Sequence, residues 1–172
     1  MQQQDNFNFF DQLGQKILKN SISFDSYHDN SVDQYGWYDC SGSTLNNLVL
    51  FELKCNNSSQ DTFNTTIITK TDWDKLLTNT PDDVNLIYTI FTNNHTYHHN
   101  LKKIAEDESL FDIKPANNKS TSMGSDSYER VEEWVYIYRK PALAKGLLKI
   151  KNVGGKASGF DIDKELKERK GK

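Results

Sequence analysis

The chain has 172 residues, 35% hydrophobic, 26% charged and 12% aromatic, with a mean hydropathy of −0.76 and a formal net charge of −3. This length suits one domain with a real core, and the aromatic content argues against wholesale disorder. No apolar run is long enough to cross a bilayer, and MQQQDNFNFF lacks the basic and apolar regions of a secretory signal.

Phe9–Asn20 reads as a short helix, with Phe9 or Phe10, Leu13, Ile17 and Leu18 at helical spacing, and Gly14 weakens it. A polar loop over 21–33 leads to QYGWYDCSG, which is aromatic and strand-like. After a polar break, LVLFELKC (48–55) is the clearest strand of the chain. FNTTII (63–68) reads as a further strand, and a helix opens near residue 71 with Thr71 as its N-cap. Pro81 closes that helix, NLIYTIF (85–91) is a strand, and Asn93-Asn94 signals a hairpin tip leading into HTYHHNL. Residues 101–110 read as helical, 115–127 as loop, and 133–139 as a last strand. These elements predict an α/β fold in a single domain: a central mixed β-sheet flanked by helices. The domain is expected to span residues 1–141.

Residues 139–172 hold eleven Lys and Arg against four Asp and Glu, a surplus of seven, whereas the rest of the chain has a deficit of ten. Residues 142–172 therefore read as a basic, flexible tail, released by Gly154-Gly155. Lys145, Lys149, Lys151 and Lys156 are its candidate contacts to a nucleic-acid backbone, because phosphates reward clustered lysines. A merely solvated tail is the competing reading.

The candidate chemistry lies in the best strand. Side chains alternate along a strand, so Val49, Phe51, Leu53 and Cys55 share an apolar face and Glu52 and Lys54 share the other. A hairpin turning at Leu45-Asn46 sets Asp39 opposite Glu52, and one turning at Asn46-Asn47 sets it opposite Lys54. Both gather the three residues on one surface. An intermediate register would separate them. Two neighbouring carboxylates, joined by the carbonyl of Leu53, form a hard-oxygen site suited to Mg²⁺ or Mn²⁺. Such a cation polarises a phosphodiester and acidifies a bound water, and Lys54 can orient that water or stabilise phosphate charge. The same residues also suit a cross-strand salt bridge on a solvated face. Acid-x-Lys occurs four times in the chain, and only Glu52-Leu53-Lys54 sits in an apolar strand preceded by a strand-borne acid.

This arrangement resembles the PD-(D/E)xK nuclease superfamily, whose restriction-endonuclease-like core runs helix, β-hairpin, helix and further strands. Those members carry an Asp on the first hairpin strand and (D/E)-x-Lys on the second. The matching residues are the helix at 9–20, Asp39 in GWYDCSG and Glu52-Leu53-Lys54 in LVLFELKC. The likeness extends over about residues 9–100 and is greatest to small stand-alone members of phages and mobile elements. Tyr38 stands where many members have Pro. The resemblance implies a Mg²⁺- or Mn²⁺-dependent nuclease acting on DNA in the cytoplasm, or in the host cytoplasm for a phage protein. Asp39, Glu52 and Lys54 would be catalytic, and Asp39, Glu52 and Leu53 would hold the metal. A homodimer is expected by analogy. The resemblance also implies an acid from the first-helix region, with Asp11, Asp25, Asp29 and Asp33 all open, and a downstream lysine, with Lys70 and Lys75 open. A degenerate member that binds nucleic acid without cutting it is the rival reading.

The remaining signals are weaker. Cys40 and Cys55 are too few for a disulfide scaffold or a structural zinc site, and a buried, reduced thiol is expected at Cys55. His95, His98 and His99 read as ordinary hairpin residues rather than converging ligands. Tyr35, Trp37 and Tyr38 suit either base stacking or cross-strand packing.

Overall fold

Leu13, Ile17 and Leu18 follow helical spacing and are buried on one side of helix α1 (Gln2–Ser21). Burying each contributes about 1.5–3 kcal/mol before entropy is charged. The structure, a computed structural model, describes residues 2–30, 36–117 and 131–170. Gly14 has a packing role. A Cβ there would lie 3.3 Å from Phe91 and 3.4 Å from Leu53, so its absence lets α1 lie close on the sheet.

Strands β1 (Ser26–Asp29), β2 (Cys40–Thr44) and β3 (Asn47–Cys55) form an antiparallel meander. The β2–β3 turn is Leu45-Asn46, with φ of 50° and 65°. Two positive φ values in a two-residue loop match the right-handed twist of the flanking strands. Leu45 is 88% exposed, so it adopts a left-handed conformation without a packing return. Leu45→Asn is expected to stabilise the protein by about 1 kcal/mol, read as a higher denaturant midpoint with an unchanged slope.

Strand β4 (Thr65–Thr69) leads directly into α2 (Lys70–Asn79). Thr69, not Thr71, is the N-cap: its Oγ1 accepts the Asp72 N–H at 3.1 Å. Thr69 stands two residues earlier because the helix begins as soon as β4 ends. Strand β5 (Asn85–Phe91) runs parallel to β3, and β6 (Thr96–Asn100) returns beside it through the turn that Asn93-Asn94 signals. The short helix α3 (Leu101–Ala105) leads to β7 (Phe111–Asn117), followed by β8 (Val131–Tyr138), α4 (Arg139–Ala144), β9 (Leu148–Lys151) and α5 (Ile162–Lys170).

The main sheet is mixed, in the order β1-β2-β3-β5-β6-β9, with β3–β5 its parallel pair. Helices flank it, so the fold is α/β as expected. A second sheet, β4-β8-β7, is an addition to the expected single sheet. Two cores result. Leu13, Ile17, Val49, Phe51, Leu53 and Phe91 pack on the α1 side. Leu50, Ile68, Trp73, Leu86, Tyr88 and Val135 pack on the other. The expected apolar face of β3 is thus the α1 face, and Cys55 belongs to its margin.

Residues 142–172 are not a flexible tail over the described part of their length. They complete α4, add β9 to the sheet edge beside β6, and bury Leu148 and Ile162. Gly154 and Gly155 dock this segment instead of releasing it. Gly155 N–H donates to Thr92 C=O at 2.9 Å, and Lys156 N–H to Asn93 C=O at 3.1 Å. Charge composition misread the segment because a few buried residues, Ala142, Leu148 and Ile162, anchor a stretch that is otherwise rich in lysine. Among the described residues no helix is long and apolar enough to cross a membrane.

Candidate active site

The site lies where β2 begins. Cys40 pairs with Phe51 and Ser41 with Leu50, the register that sets position 39 across from Glu52. Asp39 stands one residue before β2 rather than within it. Its N–H donates to Phe51 C=O at 2.9 Å, and its Oδ2 accepts the Leu53 N–H at 2.6 Å. The carboxylate thus takes the place of the next backbone rung. In a strand the N–H and C=O of one residue face the same neighbour, so the Leu53 carbonyl opens onto the same edge.

Glu52 and Lys54 share the face turned away from α1. Their side chains lie 3.7 Å apart (Oε1 to Nζ), with Glu52 17% exposed and Lys54 46% exposed. Asp39 and Glu52 act on one another as neighbouring buried acids, the charge of Asp39 being among the causes that raise Glu52. Burial, then the charge of Asp39, pushes Glu52 up to about 8, against the opposing pull of Lys54. Asp39 is also held above the usual carboxylate range, by burial, although the Leu53 N–H and Lys54 oppose this. The three residues expected from the sequence therefore do meet.

Some of the candidates left open by the sequence act electrostatically on these three residues. Asp11, on α1, is raised to about 6 by burial and by the neighbouring charge of Asp39, and Lys54 acts on it in the opposite sense. Asp29 acts more weakly on both Asp11 and Asp39, and its Oδ1 accepts from Gln15 at 2.8 Å. Asp33 lies outside the described residues. On α2, Lys75 faces the charge of Glu52, whereas Lys70 is paired with Asp74 at 2.5 Å. Asp72, one turn before Lys75, also bears on Glu52. Sequence reasoning missed Asp72. Its placement depends on how α2 packs over the sheet, although Asp72 and Lys75 share a helix face at i, i+3.

Asp39 and Glu52 thus lie within the electrostatic reach of Asp11, Asp72, Lys54 and Lys75. Among the described residues no group of three His, Cys, Asp and Glu side chains forms a ready-made metal cage. The donor set of two carboxyl groups and a backbone carbonyl nevertheless offers oxygen alone, as a hard divalent cation requires, and the raised carboxyl groups of Asp39 and Glu52 mark where positive charge is favoured.

The expected nucleic-acid contacts are dispersed. Lys145 is paired with Asp107. Lys149 and Lys151 sit beside His98 on the α1 face, and Lys151 Nζ donates to Ser21 C=O. Lys156 lines a separate groove with Cys55, Asn57, Lys164 and Lys167. The three histidines do not converge, since His98 and His99 point to opposite faces of β6 and His95 approaches Asp61 at 3.3 Å. Trp37 and Tyr38 pack edge to face on each other, with centroids 5.0 Å apart, and Tyr35 lies outside the described residues. Comparison of the chain with protein-family models, with curated proteins and with solved structures found no match.

Proposed function

We propose that the protein is a Mg²⁺- or Mn²⁺-dependent nuclease of the PD-(D/E)xK type that hydrolyses DNA phosphodiester bonds. The observation that carries this reading is the meeting of Asp39, Glu52 and Lys54 at the open edge of β3. The order α1, the β2–β3 hairpin, α2, then β5 beside β3 is compatible with it. Asp11 and Lys75, which act electrostatically on Asp39 and Glu52, would serve as the helix-borne acid and the downstream lysine.

Asp39, Glu52 and the Leu53 carbonyl would hold the cation, which supplies Lewis-acid polarisation of the phosphodiester when bound. Lys54, exposed at the rim, is placed to stabilise charge on a phosphate or to orient the attacking water. The hydrogen bond from Leu53 N–H keeps Asp39 aimed at the site before any ligand arrives. Asp11 and Asp72 deepen the negative potential that draws a cation in. The groove that begins at Cys55, the residue after Lys54, is lined by Lys156, Lys164 and Lys167 together with Asp161 and Asp163, and its lysines would contact the nucleic-acid backbone.

The test is a cleavage assay on linear, circular and branched DNA, with RNA alongside, in Mg²⁺, Mn²⁺ or EDTA. Metal-dependent cutting is expected, reduced at least about 100-fold in both Glu52→Ala and Lys54→Ala. Equal cutting by all three proteins, or none by wild type on any substrate, overturns the nuclease; in the second case retained DNA binding points to the non-catalytic rival. Cation binding should also displace the proton that the raised Glu52 carboxyl carries at neutral pH. Calorimetric Mn²⁺ titrations in buffers of different ionisation enthalpy are expected to report release of about one proton at pH 7.

A further inference from the structure

The α1 face of the main sheet is only partly covered. Helix α1 ends at Ser21, and beyond it lies a groove of about 430 Å³, far from neither water nor core. Phe51 and Ile87 form part of its apolar lining. Lys149, Lys151, His98 and Asn85 supply its polar groups, and among the described residues no Asp or Glu lines it. The acidic site lies on the opposite side of β3, so the two are separate.

One feature of the groove is unsatisfied. His98 is 6% exposed and its Nδ1 is 3.1 Å from Thr89 Oγ1, but its Nε2 is buried with no partner. An orphaned buried nitrogen of this kind costs about 1–3 kcal/mol and marks a place where a ligand atom completes the arrangement. Burial, with Lys151 and Lys149 close by, pushes His98 down to about 4, so the ring is neutral near pH 7 and offers a hydrogen bond rather than a charge.

We infer that this groove binds a nucleoside monophosphate, with its base on the Phe51–Ile87 floor, its phosphate between Lys149 and Lys151, and a polar atom on His98 Nε2. Three properties select this class. The volume fits a compact ligand and falls in the usual range for small-molecule sites. Lys149, with Lys151 beside it already donating one bond to Ser21 C=O, and the absence of an acid from the lining match a phosphate dianion. The Asn85 carboxamide adds a donor and an acceptor of the kind that reads a base edge.

The experiment is a calorimetric and NMR titration of the full chain in EDTA with the four ribonucleoside 5′-monophosphates, their nucleosides and inorganic phosphate. At least one monophosphate is expected to bind with Kd below about 1 mM, at least about tenfold tighter than its nucleoside or inorganic phosphate. The His98 ring resonances should move with the titration. Lys149→Ala, and Asn85→Asp at an exposed position, are each expected to weaken binding about tenfold. Absence of binding by all four monophosphates, phosphate binding as tightly as the best nucleotide, or unchanged affinity in both variants overturns the proposal. EDTA keeps cation-dependent binding at the acidic site out of the readout, so the outcome is independent of nuclease activity.

Discussion

Glu52→Gln is expected to make the metal-free protein more stable at pH 8 while removing the proposed cleavage activity. The stability gain follows from proton linkage. Glu52 is raised from 4.5 to about 8 in the folded protein, so its favourable contribution is fully present below the unfolded value and is lost as pH rises through about 8. Asp11, raised from 3.8 to about 6, acts in the same sense over a lower window. Wild-type stability should therefore decline from about pH 4 to pH 8.

Gln at position 52 has no charge to be held in this buried site, and its amide offers a donor to the neighbouring Asp39. The Lys54 contact it forfeits is worth little, because Lys54 is half exposed. The expected gain is on the order of 2–4 kcal/mol at pH 8, or several degrees in Tm for a chain of this length, and less at pH 5. Thermal melts across pH in EDTA measure it directly. A variant no more stable than wild type at pH 8 would mean that the carboxyl pair is not under electrostatic stress. Cleavage should fall by about 100-fold or more, since Gln is a poor substitute for an anionic ligand. Stability exchanged against activity at one residue is characteristic of a site built to receive a cation.

Gly154→Ala is the second large effect. Its missing Cβ would lie inside van der Waals contact of Thr92 C=O and 2.7 Å from the Asn93 carbonyl carbon and oxygen. These are backbone atoms, so no side chain can rotate away. The segment that carries β9 and α5 must move, and the cost is expected at about 2–3 kcal/mol, the scale of core overpacking. Gly159→Ala is the control. Gly159 has φ +82° and nothing within 4 Å of a Cβ, so only conformational strain of about 1 kcal/mol is expected there. Limited proteolysis after Lys156 or Lys164 should accelerate in Gly154→Ala and much less in Gly159→Ala. Equal melting temperatures for Gly154→Ala and wild type would show that residues 148–170 are not docked through this contact.

Periodicity and turn chemistry located β3 and β5 to within a residue, because each is a continuous apolar or β-branched run with a polar boundary. The two-residue Leu45-Asn46 turn sets the hairpin register, and alternation then places Glu52 and Lys54 opposite the core face. Strands β7 and β9 and helix α5 were not legible in the same way. KPAN and LKIK carry lysines at exposed positions, and α5 is strongly charged, with Ile162 as its fully buried anchor. Their structure comes from neighbours: β8 for β7, β6 for β9, and the Thr92–Asn93 backbone for the approach to α5.

The sequence by itself determined the α/β character and the shared surface of Asp39, Glu52 and Lys54, since these depend on alternation and a short turn. Only the tertiary structure decided which charged groups of the helices act on those three. Asp11 and Lys75 arrive from helices separated from β3 by many residues, and their approach depends on how α1 and α2 pack against the two faces of the sheet. The same packing created the stress on Glu52. A carboxylate's pKa is set by how much water and how many charges surround it, and both are properties of the assembled fold rather than of the local chain.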